Sequence, residues 1–279
     1  MSLFAMLGTT CAASAPDFDS GPRGGVTKDV VYASPDGLPQ VMDIFFPKSP
    51  GPWPCVVMVH GGGWSEGDKT GFDLGLSGHG YLVASVNYRL HPDFHFPAMI
   101  EDVKAAIRFL RAHAAEYNLD PERVAILGHS AGGHLAALAG LAGKEAGWDV
   151  GDDLAYSSEV RAVVELSGPS DLRLSFPAAD IEALRFSVFE AAQWEKASPV
   201  TWARAGAPPF LIIHGEKDEV VPIEHARVLH AALKRAGGTV SLVSVWNAGH
   251  GFESTGGLVW PPLPLLLFKA LGFLGRALR

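Results

Sequence analysis

Cysteine is almost missing from the chain: 279 residues carry two, Cys11 and Cys55, and Cys55 falls inside an apolar run. That pattern argues against a disulfide framework. No C-x-x-C, H-E-x-x-H or Walker pattern occurs, so no metal site is expected. Positive charge is also short, with 22 Lys and Arg against 30 Asp and Glu and a formal net charge of −8. Such a balance speaks against a nucleic-acid surface. Arg108 and Arg111 share a helical stretch with Glu101, Asp102 and Glu116, which reads as a solvated face. No apolar run reaches the roughly 20 residues of a membrane span. The run Pro264 to Phe268 is interrupted or closed by Lys269, Arg276 and Arg279, and is expected to be a last helix packed on a sheet. Leu3 to Ala15 resembles a signal-peptide core ending in small residues, but the first basic residue is Arg23. Without a basic n-region it is either a truncated signal or a loose tail. Localisation, cytoplasmic or secreted, stays open, as does oligomeric state.

What the chain has is apolar mass, 48% of it hydrophobic with 15 Phe and 7 Trp, and 32 glycines at chosen places. Residues 1–25 read as a tail and 26–279 as one domain. Val26 to Ala33 and Gln40 to Phe46 form a hairpin pair across Ser34-Pro35-Asp36-Gly37, whose residues favour a turn. Strands then alternate with helices: strands 55–60, 81–87, 123–128, 161–166, 210–214 and 240–246, and helices about 97–117, 131–142 and 222–236 plus the final one. Alternation of buried strands with helices implies an α/β fold, a mostly parallel sheet covered on both faces. Ligands should bind beyond the carboxyl ends of those strands. Gly143 to Ser158, rich in Gly and Asp, reads as a surface loop.

Those carboxyl ends carry the chemistry. Gly128-His129-Ser130-Ala131-Gly132-Gly133 follows the run Val124 to Leu127 and precedes a helical segment. That is G-x-S-x-G in strand–turn–helix context, a nucleophile elbow with its serine pushed out of the sheet. His60-Gly61-Gly62-Gly63-Trp64 closes an earlier strand and offers free backbone N–H groups, as an oxyanion hole requires. The donors expected are Ala131 with Gly62 or Gly63. Asp218 lies after the strand at 210–214, and His250 after the strand at 240–246 between two glycines. The chain order Ser130, Asp218, His250 is that of this elbow arrangement. A serine hydroxyl needs an imidazole to take its proton, and the imidazole needs a carboxylate to fix its tautomer.

Rivals exist for each role. Among 11 histidines, His60 is expected to prop the glycine loop, His129 is the elbow's variable residue, and His134 lies one turn into the helix. His79, His91, His95, His113, His225 and His230 lack a strand-end glycine context and read as surface or packing residues. Glu216 and Glu219 compete with Asp218 on its own loop, and Asp171 follows the preceding strand. Trp64 and Tyr88, both at strand ends, are candidate substrate-binding residues.

The residues from about Val31 to Phe252 resemble an α/β-hydrolase of the hormone-sensitive-lipase-like esterases, on the branch of bacterial feruloyl and acetyl carbohydrate esterases. The resemblance rests on His60 to Lys69, Asn87-Tyr88-Arg89-Leu90, Gly128 to Gly133, Ala197 to Val200, Pro208 to Leu211 and His214 to Pro222. It implies a cofactor-free serine carboxylesterase that takes a small-molecule ester through an acyl-enzyme. His129 stands where many lipase-like members carry Asp, which pulls the match towards carbohydrate esterases and formamidases. Pro169 to Pro208 separates two strands by roughly forty residues, more than an ordinary connection. It reads as a small helical cap, with Phe176, Phe186, Phe189, Trp194 and Trp202 either roofing an acyl pocket or holding the cap down. Ile181, Leu184 and Val188 fall at helical spacing. An aryl formamidase with the same triad, and a non-catalytic binding protein on this fold, are the alternatives.

Overall fold

The protein was analysed as a computed structural model that describes residues 23–70, 73–252 and 262–279. The signal-like stretch and Cys11 lie outside the described residues. Among those described, β1 (Val26–Ala33), β2 (Gln40–Phe45), β3 (Trp53–Val59), β4 (Leu82–Val86), β5 (Leu119–His129), β6 (Ala162–Leu166), β7 (Phe210–Gly215) and β8 (Val240–Val245) form one sheet. The strand order is β1-β2-β4-β3-β5-β6-β7-β8. The β1–β2 and β2–β4 pairs are antiparallel and the others parallel. Helices α1 (Ala98–Ala112), α2 (Ala131–Leu141), α3 (Ala179–Val188), α4 (Glu224–Arg235) and α5 (Pro262–Ala277) complete the α/β-hydrolase architecture. No described helix is long and apolar enough to cross a membrane.

Alternation along β3 shows why the sheet needs cover on both sides. Cys55, Val57 and Val59 point into a core shared with α1, α2 and α4, whereas Val56 and Met58 join α5 on the opposite face. Burial pushes the Cys55 thiol up to about 12, so it packs as a small apolar group. Between β6 and β7 the chain adds α3 and further short turns, the helical cap. Two boundaries differ from expectation. Helix α1 ends at Ala112, five residues early, and β5 begins at Leu119. Asn118, at φ 52°, turns the chain from one into the other.

A larger difference concerns the charges of α1. They do not form a solvated face: Lys104 and Arg108 are fully buried. Asp149 answers both, at 3.2 Å from Lys104 Nζ and 2.9 Å from Arg108 Nη1. Lys104 Nζ also donates to Ala142 O at 3.1 Å, and Arg108 Nε to Asp152 O at 3.2 Å. Asp102 is buried as well, 2.9 Å from Arg89 Nε. The stretch 143–158 is therefore laid over α1 and supplies the carboxylate and carbonyls that make this burial tolerable. Removing one partner of a buried ion pair strands the other. Asp149→Ala is expected to cost about 3–5 kcal/mol in urea unfolding. Asp152→Ala, which deletes an exposed side chain and keeps the carbonyl, should stay within about 0.5 kcal/mol.

Candidate active site

Strands β3 to β8 run parallel from β4 onward, so their carboxyl ends share one edge of the sheet. The first loop at that edge is the elbow. Ser130, the N-cap of α2, holds φ 56° and ψ −122°, a conformation ordinary residues avoid. Two glycines make it possible. A Cβ on Gly128 would lie 2.1 Å from Gly132 O, and one on Gly132 would lie 2.1 Å from Val59 O. The first turn of α2 thus sits directly against the end of β3, where the glycine loop begins.

The structure brings Ser130, Asp218 and His250 together. His250 Nε2 is 2.8 Å from Ser130 Oγ, and His250 Nδ1 is 2.8 Å from Asp218 Oδ2. A carboxylate only accepts, so Nδ1–H donates to Asp218 and Nε2 is left to accept the serine proton. Asp218 Oδ1 accepts from the Val220 and Val221 amides at 3.0 and 2.8 Å. Burial pushes the Asp218 carboxyl up, but hydrogen bonds from His214 and His250 outweigh it and hold the group well below the usual carboxylate range. Its rivals sit elsewhere. Glu216 and Glu219 are exposed, and Asp171 is closed onto Arg173, with Oδ1 2.7 Å from Nε.

Gly62 and Gly63 lie on the turn that faces the elbow, at φ 106° and 57°. A Cβ on Gly62 would come within 2.1 Å of Glu66 O, so only glycine closes this turn. Ala131 opens α2, where a backbone N–H has no acceptor within the helix. His60 Nδ1–H donates to Gly61 O at 2.7 Å, and its ring stacks on Tyr88 at 4.3 Å.

Trp64 and Tyr88 need a correction as substrate-binding residues. Both are buried, and both spend their polar atoms inside the protein. Tyr88 Oη donates to His60 O at 3.0 Å, and Trp64 Nε1–H donates to His134 Nδ1 at 3.2 Å. They hold the glycine loop from below. Three of the cap aromatics act alike: Phe189 packs edge-on against Trp64, Phe176 stacks on His225, and Trp202 meets Trp148, whereas Phe186 is exposed and packs on Trp194. The residue over the glycine loop is instead Leu184, whose Cδ2 lies 2.6 Å from where a Gly63 Cβ would be.

Two histidines in the site had no role assigned from sequence. His129 Nε2–H donates to His250 O at 3.0 Å, tying the elbow to the loop of the catalytic candidate. His214 Nε2 lies 3.2 Å from Asp218 Oδ2. The second was legible only as part of an apolar strand, because its partner reaches it through a turn. His134 is a third structural imidazole. Its Nε2–H donates to Ala197 O at 2.7 Å while Nδ1 accepts from Trp64, so the neutral tautomer joins α2, cap and glycine loop.

Burial lowers His134 to about 4. The unfolded chain takes up this proton near pH 6.5 and the folded one does not, so stability falls as pH drops from about 6.5 towards 4 and levels off below. His134→Gln should flatten the pH dependence of unfolding free energy in that window, by up to about 1.4 kcal/mol per pH unit. Urea titrations at pH 4.5, 5.5 and 7, on variant and parent, measure the difference.

A family model, BD-FAE, matches residues 42–233, the stretch from β2 to α4. Esterase LipQ of Mycobacterium tuberculosis is 34% identical over 81% of this chain, which covers 57% of LipQ. The chain spans about half the length of the curated relatives it matches. Among solved structures, a truncated carbohydrate esterase from gut microbiota is 28% identical, with TM-score 0.77, 94% of this chain covered and 98% of that one. Thermogutta terrifontis esterase 2 phosphorylated by paraoxon is 28% identical at TM-score 0.78, with 90% and 94% covered. With the elbow, the glycine loop and the strand order in place across the matched region, the chain belongs to the BD-FAE family and shares the α/β-hydrolase fold of these esterases.

Proposed function

We propose that the chain is a serine carboxylesterase that hydrolyses short-chain acyl esters through an acyl-enzyme, with acetyl or feruloyl esters of carbohydrates as its substrate class. One observation carries the reading: a single imidazole lies 2.8 Å from both the Ser130 hydroxyl and the Asp218 carboxylate. His250 Nε2 takes the Ser130 proton as Oγ attacks the ester carbonyl. Amides of Gly62, Gly63 and Ala131 receive the oxyanion, an effect worth about 3–4 kcal/mol per donor in a comparable hydrolase. His250 then protonates the leaving alkoxide. In the second half it removes a proton from water, and collapse of the second tetrahedral intermediate releases the acid and returns the proton to Ser130 Oγ. Asp218 stays ionised throughout and stabilises the imidazolium.

Named relatives support the ester chemistry, and the carbohydrate esterase among the structural neighbours supports the alcohol side. The cap supports short acyl groups. Leu184 closes over Gly63, beside the proposed oxyanion hole, where a long acyl chain would have to pass it.

Ser130→Ala should lower turnover of p-nitrophenyl acetate by several orders of magnitude and abolish labelling by a fluorophosphonate. Unchanged turnover would remove the reading, and an unlabelled parent chain would make it a binding protein. Asp218→Asn should cost far more than Asp171→Asn, and the reverse order would move the acid to Asp171. Acetylated xylan and methyl ferulate, run beside N-formylkynurenine, separate the carbohydrate esterase from the formamidase. Leu184→Ala should shift kcat/KM from acetyl towards butyryl and hexanoyl p-nitrophenyl esters, by about 10-fold.

A further inference from the structure

Behind the triad lie buried titratable groups that this mechanism leaves unused. Glu165 on β6 and His214 on β7 are both within 1% of full burial. Glu165 is in register with Ile212, so Glu165 and His214 share one face of the sheet on adjoining strands, one step apart. The Nε2–H of His214 is shared between Val221 O at 2.8 Å and Asp218 Oδ2 at 3.2 Å. That oxygen is the one His250 uses. Asp218 Oδ2 therefore serves two imidazoles, one partly exposed and one with no access to solvent.

We propose that His214 is a positioning residue: by drawing on the same carboxylate oxygen as His250, it fixes Asp218 and limits how strongly Asp218 supports the imidazolium of His250. The inference rests on the triad reading above. Burying an imidazole costs desolvation that an apolar side chain would not incur. A leucine at 214 would leave both contacts unmade, the one to Val221 O and the one to Asp218 Oδ2, and only the second reaches the triad. The charged and titratable groups that face His214 are Asp218 on its own loop, Glu165 from β6, His225 from α4, His129 at the elbow, and His250 through Asp218. Burial would lower His214, but the hydrogen bond to Asp218 and the charge of Glu165 raise it. Burial pushes Glu165 up to about 7, so its charge develops in the working range and needs its own control.

Removing the His214 donor frees Asp218 for His250 and strengthens the imidazolium. The acid limb of the kcat/KM profile reports the essential base of the free enzyme. In His214→Leu its midpoint should move up by at least about 0.5 pH unit. On the alkaline plateau kcat should fall with KM unchanged, since His214 lies behind Asp218 and touches no substrate. His214→Gln, which keeps a donor, should recover most of the midpoint. The double variant His214→Leu/Glu165→Gln should keep the upward shift, and loss of the shift there would assign it to stranded Glu165 charge and overturn the proposal. An unmoved acid limb in an active His214→Leu enzyme would also overturn it while leaving the triad intact. Retained activity in Ser130→Ala would instead sink the triad itself. Should His214→Leu not fold, proton NMR of the parent chain decides. Two downfield imidazole N–H resonances that both move in Asp218→Asn support the shared carboxylate, and a single one that moves refutes it.

Discussion

The contact on which the site depends is one with no room for a methyl group, where the first turn of α2 meets the last residues of β3. With 2.1 Å between a Gly132 Cβ position and Val59 O, α2 can start only where glycine lets it. That start sets Ser130 at φ 56°, a strain of about 1–3 kcal/mol for a non-glycine residue. Burial of every residue of α2, between the sheet, α1 and the cap, offsets it. The same contact sets the distance from Ser130 to the glycine loop, because that loop begins one residue beyond Val59. The proposed nucleophile and the proposed oxyanion donors are thus placed by one backbone approach.

Electrostatics then select among the imidazoles. Burial lowers His60, His129, His134 and His225, which favours the neutral ring in each. Each of the four makes a hydrogen bond that a neutral tautomer can satisfy: to Gly61 O, to His250 O, to Ala197 O, and from the Ser170 amide. His250 differs in keeping 18% of its side chain exposed while facing a buried carboxylate. An imidazole placed so can gain and lose a proton through the cleft and have the charge answered from behind. Solvent access together with a buried carboxylate distinguishes His250 from these four, and solvent access alone distinguishes it from His214.

Much of this was legible in the sequence, for local reasons. Strands such as Val56 to Val59 and Leu211 to Ile213 are continuous apolar runs because both faces are covered, and glycines mark the turns that no other residue can make. The loops bearing Asp218 and His250 follow such runs directly. What escaped was decided at long range. Arg108 looked solvated because its acid, Asp149, is 41 residues away. Trp64 and Tyr88 looked like pocket residues because strand ends usually face ligand, but each has a buried acceptor, His134 Nδ1 and His60 O, that only the fold supplies. His214 was hidden inside its own strand pattern.

The cap belongs to the same machinery. From Trp64 Nε1–H to His134 Nδ1, and from His134 Nε2–H to Ala197 O, a single chain of donors runs from the glycine loop through α2 to the end of the cap. It requires a ring that accepts on one side and donates on the other, which an imidazolium cannot do. Phe189 seals it by packing on both Trp64 and His134. Leu184, on the helix that Phe189 follows, is thereby held over Gly63. The neutral state of one buried imidazole thus connects the glycine loop, where the proposed oxyanion donors lie, to the position of the residue that roofs it, so in the proposed reaction acyl selectivity and oxyanion stabilisation would depend on one buried assembly.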